Sequence, residues 1–330
     1  MLEHSGFPRW LDRGLSMVER ASVDRLSLEP RHPPLLVVGP PRCGTTALFL
    51  ALVNHFQLSF FPNVSKRHPR APLSYALLGQ LMGGYQPTFS NRFGIVGQAM
   101  APSDGWDIFL RWLPNTYGAE VPGDGGRQLR TLARLLERLL GGPLCVRNNV
   151  NSLRLQLMTS LFPGAITVAI TRDWREAALS LREAYREHDT PPGEWWSAGP
   201  PDYDANVFED DLEKAVFQIL GVEAIVRRDL PRLDPSRTLQ IPYEEFCADP
   251  GRVLEWVEGA YARAGVTLDR RPGNATRGVR RSGRWSNPDA RGGRAMERME
   301  SYGRRFLDGS YLPAQAVLTS AVRGRVGVAP

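Results

Sequence analysis

Residues 35–48 read LLVVGPPRCGTTAL, and this stretch decides the fold. It begins with a short apolar run that contains β-branched residues, which is typical of a buried strand, and Gly39 and Pro40 end that run abruptly. From Gly44 onward the sequence is rich in Ala and Leu, which favours a helix. A strand, a tight turn and a helix start bring together backbone N–H groups without helical partners, and the helix dipole favours an anion there. The stretch therefore predicts a phosphate-binding loop.

This loop differs from that of nucleotide triphosphatases, which requires Gly, four residues, Gly, Lys and then Ser or Thr. Here Thr45 stands in the Lys place and the cation is Arg42. The pattern resembles the loop with which sulfotransferases hold the 5' end of the sulfate donor 3'-phosphoadenosine 5'-phosphosulfate (PAPS). The alternative is an ordinary strand-to-helix turn. The resemblance implies donor contacts at Arg42, Cys43, Gly44, Thr45 and Thr46.

Composition points to an ordinary globular protein of 330 residues, 42% hydrophobic and 23% charged. No apolar run approaches the roughly 20 residues that span a bilayer, so we expect no membrane span. Residues 1–6 lack the pattern of an export signal, which favours a cytoplasmic protein. The three cysteines, Cys43, Cys145 and Cys247, are odd in number and widely spaced, which supports neither disulfides nor zinc. We therefore predict no metal.

The charge pattern indicates an anionic ligand. The net charge is +6, and residues 265–305 are crowded with arginines. Nucleic acid is the rival partner for such charge, but this segment is not a long helical stripe and lacks an aromatic ladder. We expect a small-molecule partner and no nucleic acid. Lys66 and Lys214 are the only lysines, so cationic roles in chemistry fall to Arg. The sequence does not indicate an oligomeric state.

Strand-like and helical segments alternate along the chain, which predicts an α/β fold with a P-loop-like parallel β-sheet flanked by helices. The predicted strands are 35–38, 57–61, 144–146, 165–170 and 238–241. The main predicted helices after the loop helix are 127–140, 148–162, 174–188, 206–229, 251–264 and 296–324.

We interpret residues 1–330 as a single domain, because the sequence contains no repeat and no convincing boundary. Residues 1–33 form a helical lead-in, and 265–295 form a basic loop. Residues 84–126 are irregular and rich in aromatic residues. Because so long a loop in a compact domain is usually functional, we predict that 84–126 is an acceptor-site insertion.

A second motif, ITRDWREAALSL, occupies residues 170–181. It places Arg172 at the end of a strand and Ser180 on the second turn of the following helix, so both side chains can face one phosphate. The planar fork of Arg suits a phosphate monoester, and Ser adds a donor. The motif is similar to the sulfotransferase element that binds the 3'-phosphate of PAPS. The resemblance implies that Arg172 and Ser180 have this role.

Further segments extend the resemblance to bacterial PAPS-dependent sulfotransferases. Residues 147–154, RNNVNSLR, resemble the family's Lys-Asn-Pro-x-Asn-x-x-Arg series, with Arg147 in place of its Lys as a candidate catalytic residue. Residues 241–250 resemble its Tyr-Glu segment. Residues 280–285, RRSGRW, resemble the basic loop that closes over the PAPS phosphates, although a solvated Arg cluster is the alternative. This last resemblance implies donor contacts at Arg280, Arg281, Ser282 and Gly283.

Sulfuryl transfer requires charge stabilisation on the leaving phosphate, which we assign to Arg42, and a base for the acceptor hydroxyl. Animal relatives supply a His after the third strand, but Asn149 stands there and cannot accept the proton. Two other residues are candidates. His68 has a near-neutral intrinsic pKa and sits in a predicted loop on the ligand side, and Asp104 lies in the insertion.

The acceptor is predicted to be a small hydroxyl compound, preferably apolar or aromatic. Core or lid packing is an equally available role for the aromatic residues behind this preference, which are Trp106, Phe109, Trp112, Trp195 and Trp196. Two other functions stay open at this point. They are a nucleotide-dependent kinase or hydrolase with a variant loop, and a non-catalytic nucleotide-binding protein.

Overall fold

A computed structural model describes most of the chain. The described residues are 8–89, 96–113, 123–201, 205, 208, 210–272, 279 and 293–308. The predicted donor contacts at Arg280, Arg281, Ser282 and Gly283 lie outside this set, as does the final part of the predicted helix 296–324.

A parallel sheet forms the centre of the molecule. Its strands are β1 (Leu35–Val38), β2 (Cys145–Arg147), β3 (Ile166–Thr171) and β4 (Thr238–Pro242). The strand order is β2-β1-β3-β4, and Leu36 of β1 lies opposite both Val146 and Thr167. All residues of β1 are buried, as expected for a strand covered on both faces. The predicted fold class is confirmed.

The predicted strand at 57–61 is wrong. Within this segment only Ser59 makes a bridge, in parallel with Leu144. Ser59 N–H donates to Pro143 and its carbonyl accepts from Cys145, but Gln57 N–H donates to Asp269 instead. Pro62, with no N–H group, then leads the chain into a helix. Pairing is therefore limited to one residue, and the sheet has four strands.

Helices cover both faces of the sheet. In chain order they are α1 (Arg9–Arg25), α2 (Thr45–His55), α3 (Asn63–Arg67), α4 (Pro72–Leu81), α5 (Trp106–Trp112), α6 (Gly125–Leu140), α7 (Leu155–Leu161), α8 (Trp174–Glu187), α9 (Asp211–Asp229), α10 (Tyr243–Ala248), α11 (Pro250–Arg263) and α12 (Gly293–Leu307). The helix predicted at 148–162 is interrupted: a 3₁₀ turn at Asn149–Leu153 precedes α7, because Arg154 between them has a non-helical backbone.

The side chains of β1 divide between two hydrophobic cores. Leu36 and Val38 pack in the core that contains α4, α5 and α6, whereas Leu35 and Val37 pack in the core that contains α2 and α11. A third cluster joins α8, α9 and α12. Helix α1, inside the predicted lead-in, is tied to the domain by Glu19, whose carboxylate accepts from the backbone N–H groups of Leu73 and Ser74 at the start of α4.

The four parallel strands end at one edge of the sheet, where open α/β sheets place ligands. The phosphate loop follows β1, Asn148 follows β2, Arg172 follows β3 and Tyr243 follows β4. Segments far apart in sequence therefore meet around the start of α2. Within the described part of the chain, no helix is both long and apolar enough to cross a bilayer.

Candidate active site

The phosphate loop has an unusual backbone. Arg42 lies in the left-handed region with φ of 64°, and Gly44, the residue before α2, has φ of 102°. Glycine is the residue that adopts this region without a steric cost. Ser152, after β2, fixes the start of the loop: its hydroxyl donates to Gly39 O at 3.1 Å and accepts from Gly39 N–H at 2.9 Å. The loop geometry is therefore set by buried contacts as well as by its own residues.

Gly44 also lies directly against the ring of Tyr243. A Cβ atom at position 44 would overlap that ring. The guanidinium of Arg172 lies over the same ring, with its Cζ 4.7 Å from the ring centroid. Tyr243 therefore packs between the phosphate loop and the residue that ends β3. The sequence resemblance at residues 241–250 includes this tyrosine but indicates no role for it.

Arg42 joins the two predicted phosphate-binding motifs. Its Nε–H donates to Ser180 Oγ at 3.0 Å, and Arg172 Nη1 approaches the Arg42 carbonyl at 3.5 Å. Burial lowers the pKa of Arg42 to about 10, with further contributions from the nearby guanidiniums of Arg172 and Arg147. Three arginines thus concentrate positive charge at the start of α2.

Arg172 is held by a buried carboxylate. Its Nη2 and Nε both donate to Oε2 of Glu176, at 2.6 and 3.2 Å, and both side chains are more than nine-tenths buried. Glu176 lies one helical turn further along α8, so its side chain faces back toward Arg172. Sequence reasoning missed Glu176, although the spacing of four residues was a usable signal.

The other loop residues predicted as donor contacts divide into two groups. Cys43 faces inward: its Sγ–H donates to Pro40 O at 2.7 Å, and burial raises the pKa of this thiol to about 12. The Cys43 side chain therefore packs in the protein interior, and only the backbone of this residue can reach a ligand. Thr45 and Thr46 instead lie near the segment after β2, since Thr45 Oγ1 donates to Asn149 Oδ1 at 3.4 Å and Thr46 Oγ1 accepts from Arg147 at 2.5 Å.

Asp104 reaches the same region from the aromatic insertion. Its Oδ1 lies 2.9 Å from Lys66 Nζ, and its Oδ2 lies 3.9 Å from Arg147 Nη2. Burial by itself would raise the pKa of Asp104, but the charges of Lys66 and Arg147 outweigh it and hold the pKa below its ordinary value. The Asp104 side chain is 26% exposed. It is therefore an ionised, partly accessible group next to an arginine that contacts α2.

His68 has different surroundings. Its Nδ1 lies 3.0 Å from Asp12 of α1, and its ring stacks on Tyr75 of α4 with centroids 3.6 Å apart. The residue is 7% exposed. Helix α3 ends at Arg67, so Lys66 and Arg67 of the predicted loop are helical, whereas His68 follows the helix with a non-helical backbone. These contacts make His68 a link between helices.

The five aromatic residues proposed to line an acceptor pocket separate in the structure. Phe109 and Trp112 are buried in the core beside α6, and Trp106 packs against the same core. Trp195 and Trp196 are half-buried in the connection between α8 and α9. The Trp196 ring lies 5.9 Å from Arg42 Cζ. Among these five residues, Trp196 is therefore the one whose ring is observed near the phosphate loop.

The strand–loop–helix geometry agrees with a comparison of the whole sequence against protein families. A profile described as the sulfotransferase family matches residues 33–269, which is most of the chain. The chain belongs to the sulfotransferase family. The match includes the phosphate loop, the region after β2 and the Arg172–Ser180 motif, so the resemblance inferred from these residues is confirmed.

Solved structures show the same fold. Sulfotransferase STF9 from Mycobacterium avium is 17% identical, with a TM-score of 0.51, covering 91% of this chain and 82% of that protein. Sulfotransferase STF1 from Mycobacterium tuberculosis H37Rv is also 17% identical, with a TM-score of 0.52 and coverages of 89% and 84%. A search of curated protein sequences gave no match. At this identity the structural likeness shows the fold of this sulfotransferase, while its substrates must be inferred from its own residues.

No metal-binding site is evident in the part of this sulfotransferase that the structure describes. No group of three or more His, Cys, Asp or Glu side chains comes together among those residues. The acidic residues at the site, Asp104 and Glu176, are each paired with arginine.

Proposed function

We propose that this sulfotransferase transfers the sulfuryl group of PAPS to the hydroxyl of a small molecule. The observation that supports this donor is the hydrogen bond from Arg42 to Ser180. It joins two anion sites: the helix start after the phosphate loop, suited to a 5'-phosphate, and the Arg172–Ser180 pair, suited to a 3'-phosphate. A nucleotide with phosphates on both ends of its ribose fits this arrangement.

Arg42 and Arg147 are proposed to act on the transferring group. Arg42 belongs to the loop itself and would stabilise the charge that develops on the leaving phosphate. Arg147 Nε–H is buried and has no acceptor among the described residues, while its Nη1 contacts Thr46. The Arg147 side chain is 11% exposed, and its accessible part is proposed to contact a sulfuryl oxygen. A preorganised donor of this kind contributes about 3 kcal/mol to transition-state stabilisation.

Asp104 is proposed as the general base. In the transfer, the bond between sulfur and the 5'-phosphate oxygen breaks and a bond between sulfur and the acceptor oxygen forms. The acceptor proton moves to the Asp104 carboxylate. Two features support this role: the group is ionised because Lys66 and Arg147 hold its pKa down, and it is partly exposed. His68 is less suitable because its ring is buried between Asp12 and Tyr75.

An apolar or aromatic alcohol remains the proposed acceptor. The half-buried rings of Trp106, Trp195 and Trp196 support this preference, whereas Phe109 and Trp112 belong to the core. The basic segment that contains Arg280 and Arg281 is proposed, by resemblance alone, to cover the donor phosphates.

Calorimetric titration tests the donor. We expect adenosine 3',5'-bisphosphate to bind without magnesium, and ATP to bind at least tenfold more weakly because it lacks the 3'-phosphate. Preference for ATP, or a requirement for magnesium, would contradict the proposal. Release of the bisphosphate from PAPS, followed with and without a panel of phenols and aliphatic alcohols, then identifies the acceptor class.

A further inference from the structure

The connection between α8 and α9 holds one residue in a strained conformation beside the phosphate loop. Ser197 has φ of 70°, in the left-handed region that residues other than glycine rarely adopt. Such conformations persist only where the surroundings determine them, and they are concentrated at functional sites. The contacts of Ser197 and its neighbours should therefore show what holds this conformation.

Gln218 of α9 enforces this conformation. Its Nε2 donates to the carbonyls on both sides of Ser197, those of Trp196 and Ala198, each at 2.8 Å. Its Oε1 accepts from Tyr185 OH at 2.5 Å. Gln218 is fully buried, and Tyr185 is 2% exposed. One buried amide therefore fixes the backbone carbonyls before and after Ser197.

The Ser197 side chain is connected to the phosphate loop through Asn149. Asn149 Nδ2 donates to Ser197 Oγ at 2.9 Å, and Asn149 Oδ1 accepts from Thr45 Oγ1 at 3.4 Å. Thr45 is the first residue of α2. The adjacent Trp196 ring lies 5.9 Å from the Arg42 guanidinium. The 196–197 segment thus approaches the loop through the Trp196 ring and is connected to the start of α2 through Asn149.

The hydroxyl hydrogen of Ser197 is not used in these contacts. Its oxygen accepts from Asn149, and no acceptor for its O–H occurs among the residues that the structure describes. A half-buried hydroxyl, fixed in position by an amide that also binds the first residue of α2, is suited to donate to an anion.

We propose that Ser197 is a further catalytic residue, whose O–H donates to an oxygen of the transferring sulfuryl group. This inference rests on the proposed use of PAPS. Asn149, which cannot act as a base, orients the Ser197 hydroxyl. The connection between α8 and α9 thereby contributes directly to the site of transfer.

The test compares two ligands that differ only in the sulfuryl group, PAPS and adenosine 3',5'-bisphosphate. In Ser197→Gly, which removes the hydroxyl but accepts the left-handed backbone, we expect bisphosphate affinity within threefold of wild type and PAPS affinity lower by about tenfold or more, the range for a hydrogen bond to a charged group. Release of bisphosphate from PAPS should fall by at least the same factor. Ser197→Ala should give the same pattern.

Asp189→Gly is the matched control. Among the described residues of this connection, Asp189 is the other non-glycine residue with a left-handed backbone, at φ of 45°, and it is exposed. Its variant should bind both ligands like wild type. Equal losses for both ligands in Ser197→Gly, or no loss for either, would overturn the role of Ser197. Failure of the wild-type protein to bind either nucleotide would instead overturn the proposed donor, and this inference with it.

Discussion

Arg42 and Ser180 are 138 residues apart in sequence, yet Arg42 Nε–H donates to Ser180 Oγ at 3.0 Å. The bond connects the loop after β1 with helix α8 after β3. Because β1 and β3 are adjacent parallel strands, their ends lie side by side at the same edge of the sheet. The two phosphate sites are therefore parts of one surface, and a change in one should affect the other.

Removal of Arg172 should selectively weaken ligands that carry a 3'-phosphate. Hydrogen bonds to charged groups are worth about 1.5–3 kcal/mol, so Arg172→Ala should lower affinity for adenosine 3',5'-bisphosphate by roughly 10- to 150-fold. Affinity for adenosine 5'-phosphosulfate, which lacks that phosphate, should change little. Calorimetry with both ligands measures the difference.

Arg175→Ala provides the control, since Arg175 lies three residues after Arg172, in α8, and pairs with Glu300. Arg172→Ala also leaves Glu176 buried without its cation, which destabilises the fold. The double variant Arg172→Ala, Glu176→Gln separates this effect from binding. Equal weakening of both ligands in the double variant would show that Arg172 acts through the fold and not on the 3'-phosphate.

We expect the Arg42 side chain to lower the stability of the ligand-free protein and to be required for binding of the bisphosphate. Its pKa of about 10 lies below the ordinary arginine value because burial and two neighbouring guanidiniums oppose its charge. Arg42→Met removes that charge, so we expect a higher melting temperature without ligand and no stabilisation by the bisphosphate. Differential scanning fluorimetry with and without ligand measures both effects.

The pH dependence gives an independent check on Arg42. Above pH 10 the folded protein loses the Arg42 proton while the unfolded chain retains it, so the unfolded state binds more protons and stability rises with pH. The stability of wild type relative to Arg42→Met should therefore increase between pH 9 and about 11. A constant difference would show that the Arg42 charge is not opposed in the folded state.

Gly44 should tolerate no side chain. Its φ of 102° is unfavourable for other residues, and a methyl group would overlap the Tyr243 ring. Gly44→Ala should displace Tyr243 from beneath Arg172 and lower bisphosphate affinity at least tenfold. Gly14→Ala in α1 is the control, because nothing lies within 4 Å of the added atom and alanine favours a helix by about 0.5–1 kcal/mol. Unchanged affinity in Gly44→Ala would show that the loop adjusts.

Sequence patterns predicted the parts of the fold that depend on local chemistry. The run at 35–38 is apolar throughout because both faces of β1 are covered, and Gly44 marks the turn before α2. The segment predicted as a strand at 57–61 is also mainly apolar, but the N–H of Gln57 donates to the Asp269 carbonyl and not to a neighbouring strand. Such a competing hydrogen bond depends on the tertiary structure, and a local sequence pattern does not predict it.

The same distinction applies to the site. Arg172 and Ser180 are close in sequence and lie on one motif, so they were predictable as a pair. Ser197 is not part of any motif, and its position depends on Gln218 from the following helix. His68 is the opposite case. Its residue type and its place in the sequence suit a base, but its ring contacts Asp12 of the lead-in helix.

The last prediction separates Asp104 from His68 as the general base. Removal of a general base typically costs 10²- to 10⁴-fold, so Asp104→Asn should lower the rate of transfer from PAPS by about 100-fold or more. Its bisphosphate affinity should stay within a few-fold of wild type. His68→Gln should lower the melting temperature, because it removes a buried contact with Asp12, but should leave the rate per folded molecule unchanged.

The pH profile of the wild-type rate decides between the two residues. The pKa of Asp104 is held below its ordinary value, so its carboxylate stays ionised in weak acid and the rate should be constant from pH 7.5 to about 5. A rate that falls steadily with acid across this range would instead require a base that takes up a proton there, which a carboxylate with a lowered pKa does not do. Such a fall, together with a normal rate in Asp104→Asn, would identify His68 as the base and exclude Asp104.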